Sequence, residues 1–175
     1  MAYCPSFINY FEITLNNINK RHVVSIGVIS NPDKLDEGFV VACDEGTIRL
    51  YSNDGKVYNK NGEGIKVIEP FKKNDVIGCG FNLITNEIFF TVNGKLIEKK
   101  FILFGEELCH SIGFNNYKYK TVSVNFGNRE PFKYDIISYL QIILKEINET
   151  KEKHKPTKEK WQLTVDFIMI EGKYF

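Results

Sequence analysis

The residues best suited to chemistry are spread thinly along this 175-residue chain. The three histidines, His22, His110 and His154, have no H-x-H or H-x-x-x-H spacing that would bring two imidazoles to one metal ion. Cys109 and His110 are adjacent, but neighbouring side chains of a strand point to opposite faces, so they cannot form a nucleophile–base pair there. We therefore expect no metal, no cofactor and no catalytic thiol.

Acidic pairs and glycines do not supply a catalytic motif either. Asp44-Glu45 and Glu106-Glu107 fall at predicted turns, where solvated acidic side chains are the ordinary choice. A glycosidase on a β-sandwich would need paired acids along one strand, and no E-x-D-x-E arrangement occurs. Gly78 and Gly80 lie in a strand-like run with no following helix that could bind phosphate. The sequence predicts a protein that is not an enzyme.

The segment from Asn74 to Lys95 is the centre of a predicted β-sheet. An apolar run over Val76–Phe81 is followed by Glu87–Val92, which is rich in β-branched and aromatic residues. Asn93-Gly94 then supplies two residues that tolerate positive φ, as a two-residue type I′ hairpin turn requires. We expect Lys95–Lys100 to form the returning strand.

Strand signals recur along most of the remaining chain, about eleven in all, with a turn every eight to twelve residues or so. That spacing is typical of an all-β protein, an antiparallel β-sandwich. The other predicted strands are Ile8–Leu15, Val23–Ile29, Phe39–Cys43, Thr47–Tyr51, Lys56–Tyr58, Leu108–Phe114 and Thr121–Phe126.

The period of the apolar residues changes at Asp135, a predicted N-cap, and the spacing beyond it predicts an amphipathic helix that fades into a charged linker by residue 155. A second helical pattern follows in residues 156–175, so the sandwich is expected to carry a C-terminal helical appendage. The apolar positions of the first helix are Ile136, Leu140, Ile143, Leu144 and Ile147.

Composition limits the partners. The formal charge of +1 favours neither a nucleic acid nor an anionic membrane as the binding partner. No apolar run reaches membrane-spanning length, and the N-terminus lacks the form of a signal peptide. The four cysteines form no C-x-x-C pair, which favours a reducing compartment, cytoplasmic, nuclear or both.

Six motifs in order give the chain a family resemblance. The central string D-V-I-G-C-G-F-N-L-I-x-N-x-I-F-F-T-x-N-G resembles the middle strands of SPRY domains, in particular those of the Ran-binding-protein-M type. Further segments with the same resemblance lie on both sides: Asn9–Ile13, Ser25–Val28, Ser111–Phe114, Val124–Gly127 and Pro131–Ile136. The resemblance implies a concanavalin-like jelly roll over residues 1–134. It also implies sequence upstream of the first hairpin, so either this domain is shortened or one sheet edge is open to another chain.

The resemblance implies a non-catalytic module that binds short peptide segments of partner proteins through loops at one end of the sandwich. Tyr117 and Leu35 are the expected apolar anchors, and Asn115 and Asn116 are expected to bond to a peptide backbone. The family's usual tryptophan is missing from both loops. The expected loop residues are Asn31, Pro32, Asp33, Lys34, Leu35, Asn115, Asn116, Tyr117 and Lys118.

The tail resembles the opening of a LisH dimerisation motif, which implies a homo- or heterodimer and a scaffold subunit of a CTLH (GID) ubiquitin ligase complex. A helix that packs back on the sandwich explains the same pattern. Two other functions stay open: a lectin-like carbohydrate-binding sandwich, and a SPRY module of a chromatin or signalling complex. The residues expected to mediate oligomerisation are Trp161, Leu163, Val165, Phe167, Ile168 and Tyr174.

Overall fold

A computed structural model describes residues 7–17, 23–30, 46–59, 62–102, 108–115 and 122–153, with side chains up to residue 146. The chain divides into two compact units, residues 1–135 and 136–175. The predicted strand at Phe39–Cys43 and the second helical segment at 156–175 lie outside the described residues. The division into sandwich, helix with linker, and LisH-like segment stays a prediction.

The first unit is an antiparallel β-sandwich, as the strand spacing predicted. The strands are β1 Ile8–Leu15, β2 Val24–Ser30, β3 Thr47–Tyr51, β4 Lys56–Tyr58, β5 Ile65–Lys66, β6 Val76–Asn82, β7 Glu87–Val92, β8 Lys95–Leu96, β9 Phe101–Ile102, β10 Leu108–Phe114 and β11 Val122–Asn125. One sheet, which we call the first sheet, has the order β11-β1-β6-β7-β8, with β9 beside β7. The other, which we call the second sheet, has the order β10-β2-β3-β4-β5.

The core fills the space between the two sheets with alternate side chains of their strands. Phe11, Ile13 and Leu15 point inward from β1, while β2 contributes Val24, Ile26 and Val28. From the central hairpin, the inward residues include Phe81, Ile88 and Phe90. Burial of this apolar surface is the main favourable contribution to folding.

The hairpin between β7 and β8 confirms the predicted turn. Asn93 has φ of 50° and Gly94 has φ of 80°, which are the two positive angles that a type I′ turn needs. The returning strand is shorter than the predicted Lys95–Lys100, because β8 ends at Leu96. The two-residue strands β5 and β9 were not anticipated from the sequence.

The outer face of the first sheet is also buried. Tyr10 and Glu12 project to this face from β1, and Phe89 and Thr91 project to it from β7. Gly78 leaves room for the hydroxyl groups of Tyr10 and Thr91, since an added Cβ would overlap both oxygens. The strands of the central hairpin are therefore buried on two sides, which explains why their sequence lacks a polar alternation.

The segment after β11 covers this outer face. Glu12, which is 3% exposed, accepts hydrogen bonds on its carboxylate from the backbone N–H groups of Lys133 and Tyr134, both at 2.9 Å. The Phe132 ring packs edge-on against the Tyr10 ring, with centroids 4.8 Å apart. The P-F-x-Y sequence thus closes the sandwich by covering Tyr10 and by binding a buried carboxylate.

The second unit contains helix α1, Ile136–Lys153, which begins directly after the predicted N-cap Asp135. Three large apolar side chains on the helix are exposed, namely Ile137, Ile142 and Leu144. Leu144, one of the predicted apolar positions of the helix, is 48% exposed. No helix in the described part of the chain is long and apolar enough to cross a membrane.

Candidate interaction surfaces

Asn115 is the one predicted peptide-binding residue that the structure describes, because residues 31–35 and 116–118 lie outside the described ranges. Its side-chain oxygen accepts a hydrogen bond from the Val23 N–H at 2.8 Å, and its own N–H donates to the Val23 carbonyl at 3.1 Å. These two bonds fix the root of the loop that begins there. The Asn115 side-chain oxygen therefore has a partner within the domain, and bonding of this residue to a ligand stays a prediction.

The two predicted loops start at opposite ends of β2. In the antiparallel pair of β2 and β10, Ser30 lies opposite Leu108, and Val24 lies opposite Phe114. The first loop follows Ser30, and Asn115 follows Phe114, so about 20 Å of strand separates the two roots. We call the two ends of the sandwich the Ser30 end and the Val24 end. The assumption that both loops start at one end was wrong about their roots, because the sequence does not show which strand pairs with β2.

A short connection shows which ends of the two sheets correspond. The Phe71 N–H donates to the Ser52 carbonyl, and the Ser52 N–H donates in turn to the Val24 carbonyl. Three residues after Phe71, the Asn74 N–H donates to the Leu15 carbonyl. The Leu15 end of β1 therefore lies at the Val24 end. The beginning of β1 and the turn that follows Asn82 lie at the Ser30 end.

Exposed apolar side chains gather at the Ser30 end of the first sheet. Leu83 and Ile84, in the turn between β6 and β7, are 50% and 41% exposed, and Ile102 on β9 is 62% exposed. We call these three residues the apolar end patch. The turn is fixed by the side-chain oxygen of Asn82, which accepts hydrogen bonds from the N–H groups of Ile84 and Thr85 at 2.9 and 3.3 Å. The turn that carries Leu83 and Ile84 is thus hydrogen-bonded to the end of β6, and the register of β7 with β9 places Ile102 opposite Glu87, the residue that follows the turn.

An ion pair borders the apolar end patch. Lys100 Nζ lies 3.2 Å from Glu87 Oε2, and both side chains are 22% exposed. Glu87 lies opposite Ile102 in the register of β7 with β9, and the Thr85 hydroxyl also donates to its carboxylate. The patch therefore combines an apolar surface with a partly buried charged rim, which is the usual composition of a binding surface.

Sequence reasoning did not select the residues of the apolar end patch. Leu83 and Ile84 were part of the central string that resembles SPRY domains but were given no binding role, and Ile102 was not assigned at all. The available signal was a Leu-Ile pair immediately before a Thr-Asn turn, because large apolar residues are unusual at an exposed turn. The apolar end patch also depends on the position of β9, which pairs with β7 rather than with its neighbour in sequence. The pattern of apolar and polar residues does not predict this pairing.

In the part of the chain that the structure describes, the side chains that could take part in catalysis or metal binding remain dispersed. The His110 ring stacks on Phe11 with centroids 4.4 Å apart, and burial lowers the pKa of His110, while a hydrogen bond to the Asn9 backbone opposes that effect. Burial raises the pKa of the Cys79 thiol, which lies in the core. Within the described ranges, no group of three or more His, Cys, Asp or Glu residues could hold a metal ion.

Two packed antiparallel sheets define an antiparallel β-sandwich domain. A family model for the SPRY domain matches residues 8–129, which is more than half of the chain. The chain therefore belongs to the SPRY domain family, whose members are in general protein-interaction modules.

The chain is similar to proteins called Ran-binding protein 9. The protein from Xenopus laevis is 28% identical over 161 residues, which are 92% of this chain and 28% of that protein. The human protein is 28% identical over 134 residues, which are 77% of this chain and 18% of that protein. The chain thus spans less than a third of the length of these relatives.

Two solved structures share the fold. A crystal structure of a human SPRY domain superposes with a TM-score of 0.56 and 24% identity, and covers 70% of this chain and 78% of that one. The SPRY domain of human HERC1 gives a TM-score of 0.53 with 16% identity, and covers 71% of this chain and 78% of that one. At these identities the likeness concerns the fold alone.

Proposed function

We propose that this chain is a non-catalytic module that binds short extended segments of partner proteins at the Ser30 end of its sandwich. The observation that carries this proposal is the apolar end patch, in which Leu83, Ile84 and Ile102 are exposed on a turn and a strand fixed by hydrogen bonds. The loop that begins after Ser30 starts at the same end and contains the expected anchor Leu35. Both elements would contact one bound segment.

The rigidity of this end favours binding. A preformed surface loses little conformational entropy when a ligand binds, so more of the apolar burial appears as affinity. One or two buried side chains of the partner would supply most of the binding free energy, and the Glu87–Lys100 pair would orient the peptide backbone or a charged partner residue. Tyr117 and Lys118 belong to the loop at the Val24 end, where they would serve a second contact.

The similarity to Ran-binding protein 9 supports a place in a CTLH (GID) ubiquitin ligase complex, in the cytoplasm or the nucleus. The SPRY module would then present a substrate or regulator, and residues 156–175 would mediate dimerisation through Trp161, Phe167 and neighbouring apolar residues. The support is the similarity across 92% of this chain to the Xenopus protein.

Selection of peptides from an unbiased display library on the whole chain tests the binding proposal. We expect enriched peptides with apolar anchors, and we expect Ile102→Ser and Leu35→Ala each to weaken their binding about tenfold or more, as buried interface anchors do. Val124→Ser is the matched control, since Val124 is exposed on β11, away from the apolar end patch. Equal binding by the Ile102 and Val124 variants would refute the assignment of the site.

The variant Tyr117→Ala distinguishes binding at the Val24 end from binding at the Ser30 end. If it weakens binding while Ile102→Ser does not, the peptide binds at the Val24 end and the proposed location is wrong. Thermal unfolding of each variant shows whether the domain is still folded.

Light scattering over a concentration series tests the assembly proposal. We expect the whole chain to form a dimer that Phe167→Asp disrupts, because a charge in an apolar helix interface is costly. Thr164→Asp is the control, since Thr164 is not among the residues expected at the interface. A monomeric parent chain at all concentrations would contradict dimerisation through the tail.

A further inference from the structure

We propose a second docking surface on the sandwich, which would take an extended partner segment that alternates acidic and apolar side chains. It is a cleft of about 750 Å³ between β5, the last strand of the second sheet, and β8, the last strand of the first sheet. We call it the edge cleft. It is separate from both predicted loops and from the apolar end patch, so it does not depend on the function proposed above.

The floor of the edge cleft is apolar. Val67 and Ile68 line it from the segment after β5, and Val92 and Ile97 line it from the β7–β8 hairpin. These side chains pack against or belong to the core between the sheets, so the floor is held in place by the fold. A volume of this size is typical of binding clefts.

The rim of the edge cleft is positive, because three lysines and one glutamate line it: Lys66, Lys95, Lys99 and Glu98. The ammonium group of Lys66 already has partners within the domain, since it donates to the Asp54 carbonyl at 2.8 Å and lies 3.6 Å from the Glu69 carboxylate. Within the described part of the chain, Lys95 and Lys99 form no ion pair. Two exposed cations beside an apolar floor favour a partner that carries carboxylates and apolar side chains.

The pairing register exposes backbone groups on both sides of the edge cleft. Ile97 donates its N–H to the Phe90 carbonyl, so the next pair, Leu96 opposite Thr91, is the type whose N–H and C=O point away from the partner strand. Likewise Val67 donates to the Gly55 carbonyl, and the adjacent pair of Lys66 with Lys56 directs the backbone groups of Lys66 outward. An extended segment can therefore pair with a strand on either rim.

The lining excludes three other occupants. Among the described residues, the lining contains no aromatic side chain on which a nucleotide base could stack and no arginine to bind a phosphate in a bidentate manner. A second copy of this chain related by a twofold axis would place the lysine rim against itself, which is unfavourable. On an extended protein segment, carboxylates match the positive rim and apolar side chains match the apolar floor.

Fluorescence anisotropy with the whole chain and a labelled probe peptide tests this proposal. The probe has about eight residues, the length of a long strand, and alternates valine or isoleucine with aspartate or glutamate. We expect binding that weakens as salt is raised, and we expect a matched peptide with lysine in place of each acid to bind at least tenfold more weakly.

Variants locate the site. Lys95→Glu with Lys99→Glu should weaken probe binding about tenfold or more, whereas Arg129→Glu, exposed beyond β11 at the opposite side of the first sheet, should not. Leu96→Pro removes an outward N–H that the sheet does not use, so it should weaken binding with little loss of stability. If Leu96→Pro fails to fold, the lysine variants still decide the outcome.

Several results would overturn the proposal. Equal binding of the acidic and basic probes, no effect of the lysine reversals, or equally effective competition by a single-stranded oligonucleotide would each do so. A dimer that the lysine reversals strengthen would show instead that the edge cleft is a self-association surface. Loss of probe binding in Tyr117→Ala or Ile102→Ser would place the peptide at the ends of the sandwich and not in the edge cleft.

Discussion

The hydroxyl oxygen of Tyr10 lies 2.7 Å from the hydroxyl oxygen of Thr91, although 81 positions separate the two residues in sequence. Both side chains lie on the outer face of the first sheet, above Gly78. Tyr10 also donates to the Glu12 carboxylate at 2.9 Å. A polar network is thus buried on the side of the sheet that a sandwich commonly exposes to water, and this side must be covered for the domain to be stable.

Gly78→Ala should destabilise the domain strongly. An added Cβ would overlap the hydroxyl oxygens of Tyr10 and Thr91, and the backbone of a central strand cannot move away. We expect the free energy of unfolding to fall by about 1–3 kcal/mol, measured by chemical denaturation. Tyr10→Phe in the same chain removes one of the overlapping atoms, so the double variant should lose less than the sum of the two single losses. Strictly additive losses would show that the overlap with the Tyr10 hydroxyl is not the cause.

Glu12→Gln should also destabilise the domain, because the Glu12 carboxylate accepts three hydrogen bonds while 3% exposed. The amide group of glutamine would place a donor against one of the backbone N–H groups of Lys133 and Tyr134. We expect a loss of about 2–4 kcal/mol in the free energy of unfolding. Glu63→Gln, at an exposed position, is the control and should change stability by less than about 0.5 kcal/mol. Similar losses in both variants would argue against a special role for Glu12.

The elements of the sandwich could be predicted because local sequence specifies them. β-branched and aromatic residues mark Ile8–Leu15 and Glu87–Val92 as strands, and Asn93-Gly94 marks the turn between β7 and β8. The burial of Glu12 could not be predicted, because its backbone partners at Lys133 and Tyr134 are more than a hundred residues away in sequence. A glutamate in a strand is ordinarily solvated.

The candidate site was less predictable than the fold because it depends on strand pairing. The pairing of β2 with β10 decides at which end each loop starts, and it gives the Asn115 side chain a partner at Val23. The edge cleft similarly depends on strand pairing, because it is lined by Lys66 from the second sheet and by Lys95 from the first sheet. A period-two pattern identifies strands but does not state which strands become neighbours.

Stability should fall at alkaline pH because of Tyr10 and Tyr134. Burial raises the pKa of Tyr134 to about 12, and burial together with the Glu12 charge raises the pKa of Tyr10 further. Unfolded tyrosines ionise near pH 10, so above about pH 10 the unfolded state releases protons that the folded state retains. The free energy of unfolding should then decrease by up to about 1.4 kcal/mol per pH unit for each tyrosine. Denaturation at several pH values, with Tyr134→Phe giving a shallower decline, checks this.

Stability should also fall at acidic pH because of His110, whose pKa is lowered in the folded domain, whereas the pKa values of the two tyrosines are raised. Burial lowers the pKa of His110, its ring stacks on Phe11, and its buried Nε2 has no hydrogen-bond partner within the described part of the chain. Below about pH 6.5 an unfolded histidine binds a proton that folded His110 resists, so the stability present at neutral pH is lost as the pH falls. His110→Phe keeps a ring against Phe11 and removes the titration. The difference in free energy of unfolding between parent and variant should therefore favour the variant more at about pH 5.5 than at about pH 7.5. A difference that does not change with pH would mean that His110 is protonated as readily in the folded domain as in the unfolded chain.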